Sequence, residues 1–339
     1  MANRFRNTST RALRAAVAFG AERIASSERL MGLVYDSTNE ANFASVSHHE
    51  EMLSDQPRVR AYHRGIHAAV SPGDVVLDLG TGTGLLAFMA SRAGASKVYA
   101  VEHSDFIEVA REIARVNGFT NIEFVQANSR EFTPPEPVDV VIHEQMGDEL
   151  FNENMLENLL DLRARVLAPN GRILPARFRL FVEPVTFTPS MRVRRLHNIE
   201  LPDDIDLSAM YGSPLLAPYE TGRFEHFWAR PGSVSSTIGT PEPIMEFDLN
   251  TLESIEALPR RHRIERTAGS DAIADGLCVW FEAIFDDDTT LSTSPLAPPT
   301  SWGNRVIRLD REVHAGERIA YDLDLYHLVD ASTWSVTQA

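Results

Sequence analysis

Short β-branched runs alternate with stretches of helical period through the first half of the chain. Val75–Leu79, Lys97–Val101, Asn121–Gln126 and the VDVVI run at 138–142 have the apolar, β-branched texture of strands buried on both faces. Between them Leu85–Ala93 and Phe106–Asn117 read as helices, the second closed by Asn117-Gly118. A further helix starts near Asn154, with Met155, Leu156, Leu159, Leu160 and Leu162 on and around one face. A strand and a helix about every thirty residues predict an α/β fold: a Rossmann-like, doubly wound parallel sheet. The stretch Leu167–Pro175 reads as a turn into one more strand.

Residues 1–35 read as helical, with Leu13, Val17, Phe19 and Ile24 among the apolar positions, and 36–47 as polar loop. After Pro175 the texture changes to short extended runs between turn residues: Phe178–Val185, Pro243–Asp248, Leu277–Phe285, Asn304–Leu309 and Ile319–Leu325. These predict a second, mostly β, barrel-like domain. The organisation expected is therefore an N-terminal helical segment at 1–47, a ligand-binding α/β domain at 48–175, and a β domain at 176–339. Residues 190–225 fit neither pattern and read as an inserted arm for self-association.

Composition narrows the function classes. The chain has 339 residues, 43% hydrophobic and 24% charged, enough to bury two cores. A net charge of -16 opposes binding to nucleic acid and suits a cationic partner. Cys278 is the one cysteine, which excludes an internal disulfide and points to a reducing, cytoplasmic setting. Lys97 is the one lysine among 32 basic residues, a bias that suggests a GC-rich bacterial gene. No run reaches the roughly 18 apolar residues of a membrane span. The acid-free start with Arg4, Arg6, Arg11 and Arg14 has the composition of a transit peptide; an amphipathic helix continuing through Ala21–Leu33 is the preferred reading.

The candidate chemistry sits beyond the strand ends. Asp78-Leu79-Gly80-Thr81-Gly82-Thr83-Gly84 carries glycines where a ligand must lie against the main chain at a helix N-terminus. The spacing suits a phosphate-gripping dinucleotide loop poorly. Glu102 ends the second strand, where an acid accepts the hydroxyls of a ribose. Asn128 and Ser129, after the third strand, are polar groups for an adenine edge. The fourth strand runs into His143-Glu144-Gln145-Met146-Gly147-Asp148-Glu149 and on to Glu153. Two glutamates on one loop match the edges of a planar guanidinium, against the plainer reading of a solvated acidic loop. His48-His49-Glu50-Glu51 lacks the spacing of a zincin helix, so no metal is expected; a helical face turning Met52 and a free Arg58 towards a ligand is the better reading. The proline-stiffened stretch Leu291–Asn304, with Trp302, reads either as a wall for a flat substrate such as a guanidinium or as a surface loop beside a buried core Trp.

In order and wording these motifs resemble the protein arginine methyltransferase family from about His49 to Leu325, and the double-glutamate loop is the specific part. The resemblance implies S-adenosyl-L-methionine as cofactor, arginine as acceptor and a homodimer held through the arm. Arg58 would pair with the cofactor's methionine carboxylate. His49, Met52, Asp78, Gly80, Gly82, Gly84, Glu102, Asn128 and Ser129 would line its site, and Met155 would abut the methyl donor. Glu144 and Glu153 would clamp the guanidinium, with His143, Ser301 and Trp302 on the acceptor side. The family's S-E-W-M-G loop reads His143-Glu144-Gln145-Met146-Gly147 here, and its Thr-His-Trp reads Thr300-Ser301-Trp302. Its N-terminal tyrosine motif has no clean match at Asn39–Phe43 or Asn42–Val46. These departures leave open a protein, free arginine or another guanidino metabolite as acceptor. Methylation of an unrelated small molecule, or a catalytically silent scaffold, are the rival readings.

Overall fold

The computed structural model describes residues 45–192, 199–210, 213–215 and 226–339. The helix expected within residues 1–35, the candidate stretch Asn39–Phe43 and all but the last two residues of Asn42–Val46 lie outside these.

Five strands form the first sheet: β1 (Val75–Leu79), β2 (Lys97–Glu102), β3 (Ile122–Gln126), β4 (Val138–His143) and β5 (Leu167–Leu174). All pair in parallel, in the order β3-β2-β1-β4-β5. The centre is apolar on both faces: Val76, Leu77, Val98, Val140, Val141 and Ile142 are wholly buried. The order reverses direction between β1 and β4, and open α/β sheets bind ligands at that crevice. β5 begins at Leu167 itself, so the turn expected there is already strand.

Among the described residues five helices flank this sheet: α1 (Val46–Ser54), α2 (Gln56–Ala69), α3 (Leu85–Ala93), α4 (Ile107–Val116) and α5 (Met155–Arg165). α1 starts inside the stretch expected to be loop. Asp55 separates α1 from α2 and caps the latter by accepting the Arg58 N–H at 3.0 Å, with Pro57 in the first turn. α2 buries Ala61, Tyr62, Gly65, Ile66 and Ala69, one stripe at helical spacing. Gly65 is required there, because a Cβ would fall 2.3 Å from the Phe285 ring. Phe285 belongs to the β domain, so α2 is packed between the two units.

The β domain is antiparallel throughout. β6 (Arg177–Phe187), β7 (His226–Ala229), β8 (Val234–Thr237), β11 (Ala272–Ile284) and β13 (Asn304–Val313) are ordered β7-β13-β11-β6-β8. β9 (Met245–Asp248) pairs β6, and β12 (Thr290–Ser292) pairs β11. A smaller sheet holds β10 (Arg261–Thr267), β14 (Arg318–Asp324) and β15 (Ser335–Gln338). Sequence reasoning missed β7, β8, β10, β12 and β15. β10 reads RHRIERT, too charged to resemble a strand, yet Arg261 and Arg263 reach Asp324 and Asp322 directly across the ladder. The long connection from β6 to β7 contains three single-turn 3-10 helices among its described residues. Arg192 moors its start, with Nε 2.6 Å from Oδ1 of buried Asp275.

Candidate active site

Register places the chemistry. Leu79 of β1 lies opposite Val101 of β2 and His143 of β4. The next residues, Gly80, Glu102 and Glu144, therefore leave three adjacent strands at the same edge, strands being spaced about 4.8 Å apart. The glycine loop, the ribose-type acid and the first glutamate of the acidic loop share one crevice.

The glycine loop is built for close approach. Gly80, Gly82 and Gly84 all have positive φ, and a Cβ on Gly80 would meet nothing within 4 Å. Open space above a main chain in this conformation fits a ligand lying along it. Asp78 is wholly buried; Oδ2 accepts the Thr81 hydroxyl at 2.5 Å and the Ala87 N–H at 3.0 Å, while Oδ1 has no hydrogen-bond partner. Burial raises its pKa to about 7 against those two hydrogen bonds. Asp78, expected to touch the cofactor, instead props the loop from beneath. Glu102 accepts the Gly82 N–H at 3.1 Å and the Ser104 N–H at 3.0 Å. Burial alone would raise its pKa, but hydrogen bonds from His103, Ser104 and Gly82 outweigh it and bring it down to about 2. Glu102 is thus a fixed anion at the mouth of the glycine loop, suited to paired hydroxyl donors.

α1 lies over this loop. His49 is buried, stacks on Phe106 at 3.9 Å and would be 3.1 Å from a Cβ on Gly82. Met52 is half-buried one turn on. Asn128 is exposed and turned into its own turn, accepting the Arg130 N–H at 3.0 Å, and the Ser129 carbonyl accepts from Arg165. The open Gly80 surface and the fixed Glu102 carboxylate together suit a ligand that carries a ribose-type pair of hydroxyls. Among the described residues no cluster of three or more His, Cys, Asp or Glu could hold a metal ion.

The acidic loop is buried rather than solvated. Arg58 Nη2 donates to Glu144 Oε2 at 2.8 Å, and these two side chains are 13% and 14% exposed. Burial raises the Glu144 pKa, opposed by Arg58. Burial, then the charges of Glu144 and Asp148, push Glu153 up to about 8. The charges of Glu144 and Glu153 thus act on one another within the loop. Trp302 backs the loop: its indole N–H donates to the Met146 carbonyl at 2.5 Å and its ring stands 5.7 Å from the Arg58 guanidinium carbon. Backbone strain accompanies the geometry, since Leu150 and Asn154 both have positive φ.

Four expectations need correction. Arg58 is not free; it is held by Glu144. His143 lines no acceptor surface: it is wholly buried, with Nε2 2.8 Å from the Pro175 carbonyl, and burial lowers its pKa to about 4. A neutral ring completing the strand edge is its physical role. Met155 is also wholly buried, in the core at the start of α5, so its side chain offers no surface to a donor. Ser301 is taken up by Asp55, whose Oδ2 accepts its N–H at 2.8 Å and its hydroxyl at 3.1 Å.

The Methyltransferase domain family matches residues 76–171, the span of the parallel sheet. Over 304 residues the chain is 31% identical to "Protein arginine N-methyltransferase PRMT10" of Oryza sativa subsp. japonica, covering 81% of this chain and 79% of the relative. The chain belongs to the protein arginine N-methyltransferase family. It is 29% identical over 294 residues to "Protein arginine N-methyltransferase 6" of Danio rerio, covering 84% of this chain and 83% of that one. Among solved structures, Arabidopsis thaliana Protein Arginine Methyltransferase 10 superposes with a TM-score of 0.69 at 25% identity, over 84% of this chain and 89% of that chain. The Trypanosoma brucei PRMT1 enzyme-prozyme heterotetrameric complex with AdoHcy does so with 0.68 at 26% identity, over the same shares. These relatives are eukaryotic, so the bacterial origin read from the arginine bias gains no support from them.

Within this arginine methyltransferase frame, sequence reasoning missed the residues that hold the site in place. Tyr62, wholly buried on α2, donates its hydroxyl to the His143 carbonyl at 2.7 Å. Asp55 ties α2 to the Trp302 loop, and Asp148 accepts the Gly303 N–H at 2.6 Å. Arg305 is ion-paired with buried Glu149. No local pattern marks these; each contact spans 81 or more positions.

Proposed function

We propose that this chain methylates arginine side chains of polypeptides, using S-adenosyl-L-methionine as donor. The observation that carries the reading is the aligned exit of Gly80, Glu102 and Glu144 from three neighbouring strands. That alignment supports a donor cradle and a guanidinium clamp side by side in one crevice. Family membership makes the chain an S-adenosylmethionine-dependent arginine methyltransferase, and the Trypanosoma brucei complex carries AdoHcy.

When bound, S-adenosylmethionine supplies an electrophilic methyl on a sulfonium. The chain's own residues do the rest. A guanidinium arrives protonated, its pKa lying far above neutral, and is a poor nucleophile. Glu144 keeps Oε1 for the acceptor while Arg58 holds Oε2, so Arg58 orients the clamp. Glu144 and Glu153 draw positive charge from the attacking nitrogen by bonding the other N–H groups, and alignment provides most of the acceleration. One N–H proton must leave as the new N–C bond forms, and Glu153, raised to about 8, is suited to take it. A dimer held through the segment between β6 and β7, in a reducing cytoplasmic setting, belongs to the same reading.

Free L-arginine is the second reading, favoured by Gln145 and Ser301 where the family pattern has an aromatic and a histidine. Mass spectrometry with isotope-labelled donor, offered arginine-rich peptides and free L-arginine together, separates the two. Label on peptide arginine is the expected result; label on free arginine alone sinks the polypeptide reading, and label on neither sinks both.

A further inference from the structure

One aromatic ring on the acceptor side is used by nothing described so far. Trp228 stands on β7, the edge strand of the large sheet, and is 46% exposed. It lies directly opposite Arg305 of β13, so both side chains leave the same face, and the Arg305 guanidinium carbon is 4.8 Å from the ring centroid. Arg305 is the partner of buried Glu149 in the acidic loop. The ring also rests on the backbone that follows Trp302: a Cβ on Gly303 would fall 3.0 Å from it, and that glycine's N–H is bonded to Asp148. Trp228 is thereby seated on the acceptor loop, with nearly half its surface uncovered.

The surroundings select for positive charge. Glu149 neutralises Arg305, leaving Asp148 and, on α1, Glu51 as the acids of this rim. Arg305, Glu51 and His48 all act on the Asp148 carboxyl, so helix α1, the acidic loop and the β7–β13 edge converge here. A half-exposed indole beside carboxylates is a site for a cation with an apolar stem. An apolar partner would leave those carboxylates desolvated and unpaired.

We propose that Trp228, together with Asp148, binds a second cationic side chain of the acceptor polypeptide, next to the arginine that enters between Glu144 and Glu153. Trp228 is then a specificity-determining residue that touches substrate but not the reacting atoms. This rests on the acceptor being a polypeptide.

The test uses two short peptides with one arginine each, flanked by lysine in one and by glutamine in the other. They are assayed with the full-length wild-type chain, Trp228→Ala and Trp228→Phe. Wild type should show a KM for the lysine peptide about five-fold below that for the glutamine peptide, the order of one cation–π contact. Trp228→Ala should erase that gap by raising the lysine-peptide KM, with kcat within about two-fold, and Trp228→Phe should keep most of the gap. A Trp228→Ala variant that retains the gap overturns the proposal. So does one that loses kcat equally on both peptides, which would make the ring a prop for the Arg305–Glu149 pair. A change of oligomeric mass with no change in the gap overturns it too, assigning the ring to a contact between copies. Failure of the underlying reading is separate: wild type itself would then label neither peptide.

Discussion

Arg58 and Glu144, 86 positions apart, meet with Nη2 2.8 Å from Oε2. The chain's own guanidinium thus rests on the carboxylate proposed to receive the acceptor's guanidinium. The pair joins α2, which also carries Tyr62 and is capped by Asp55, to the end of β4. A buried carboxylate with one charge partner is strongly held, and removing either partner leaves the other uncompensated.

Glu144→Gln keeps the shape and one acceptor oxygen but removes the charge that polarises the acceptor. The expected outcome is a kcat lower by at least about 100-fold, the scale of losing one transition-state contact. Donor-side binding should persist, since Gly80 and Glu102 are untouched; calorimetry with S-adenosylhomocysteine reads this directly. Turnover within a few-fold of wild type would leave the clamp without a role.

The raised pKa of Glu153 gives the reaction a pH signature. With an ordinary value of 4.5 and a folded value of about 8, Glu153 holds a proton at neutral pH before the acceptor arrives. A guanidinium is cationic throughout this range and binds best to the ionised pair. The acceptor's kcat/KM should therefore rise with pH and level off near 8, and Glu153→Gln should remove that rise along with most activity. Stability runs the other way. The folded chain binds a proton that the unfolded chain releases above 4.5, so from 4.5 to 8 wild type loses stability relative to Glu153→Gln. Thermal melts of both proteins at pH 5 and pH 9 check the sign: the variant's advantage appears only at the higher pH.

Gly80→Ala tests the donor cradle without touching the acidic loop. Its φ of 70° strains any L-residue, and the added methyl would project into open space. No protein atom is displaced, so the chain should still fold, with a loss of about 1 kcal/mol for the left-handed conformation. Affinity for S-adenosylhomocysteine should fall by more than ten-fold, because the methyl occupies the surface the ligand needs. Unchanged affinity would move the donor away from this loop.

The sheet was legible because β1, β2 and β4 are apolar on both faces, and the glycine loop because its residues need positive φ. That the charges of Glu144 and Glu153 act on one another was legible only as spacing on one loop. What the sequence could not show was orientation. His143 sits one residue before Glu144 and looks like loop chemistry, yet strand alternation turns its ring inward to Pro175. Met155 follows Asn154 into α5, and the helix carries it under the loop. Arg58 was readable as a cation near a ligand, but its partner lies 86 positions away. β10 escaped because its charged residues find partners across the ladder that the sequence does not reveal, Arg261 with Asp324 and Arg263 with Asp322.

Asn154 offers the sharpest check on whether loop shape and chemistry are coupled. It follows Glu153 directly, begins α5 and has φ 52°, ψ 30°, the left-handed conformation. Asparagine tolerates this region better than most residues, and glycine tolerates it best. Asn154→Ala should cost about 1 kcal/mol of stability, whereas Asn154→Gly should be near neutral. If the left-handed turn aims Glu153, Asn154→Ala will also lower kcat several-fold, and Asn154→Gly will restore it to near the wild-type value. Equal loss in both variants would instead assign the effect to the asparagine amide. The comparison needs only melts and steady-state rates on one acceptor, and its sign is set by backbone geometry alone.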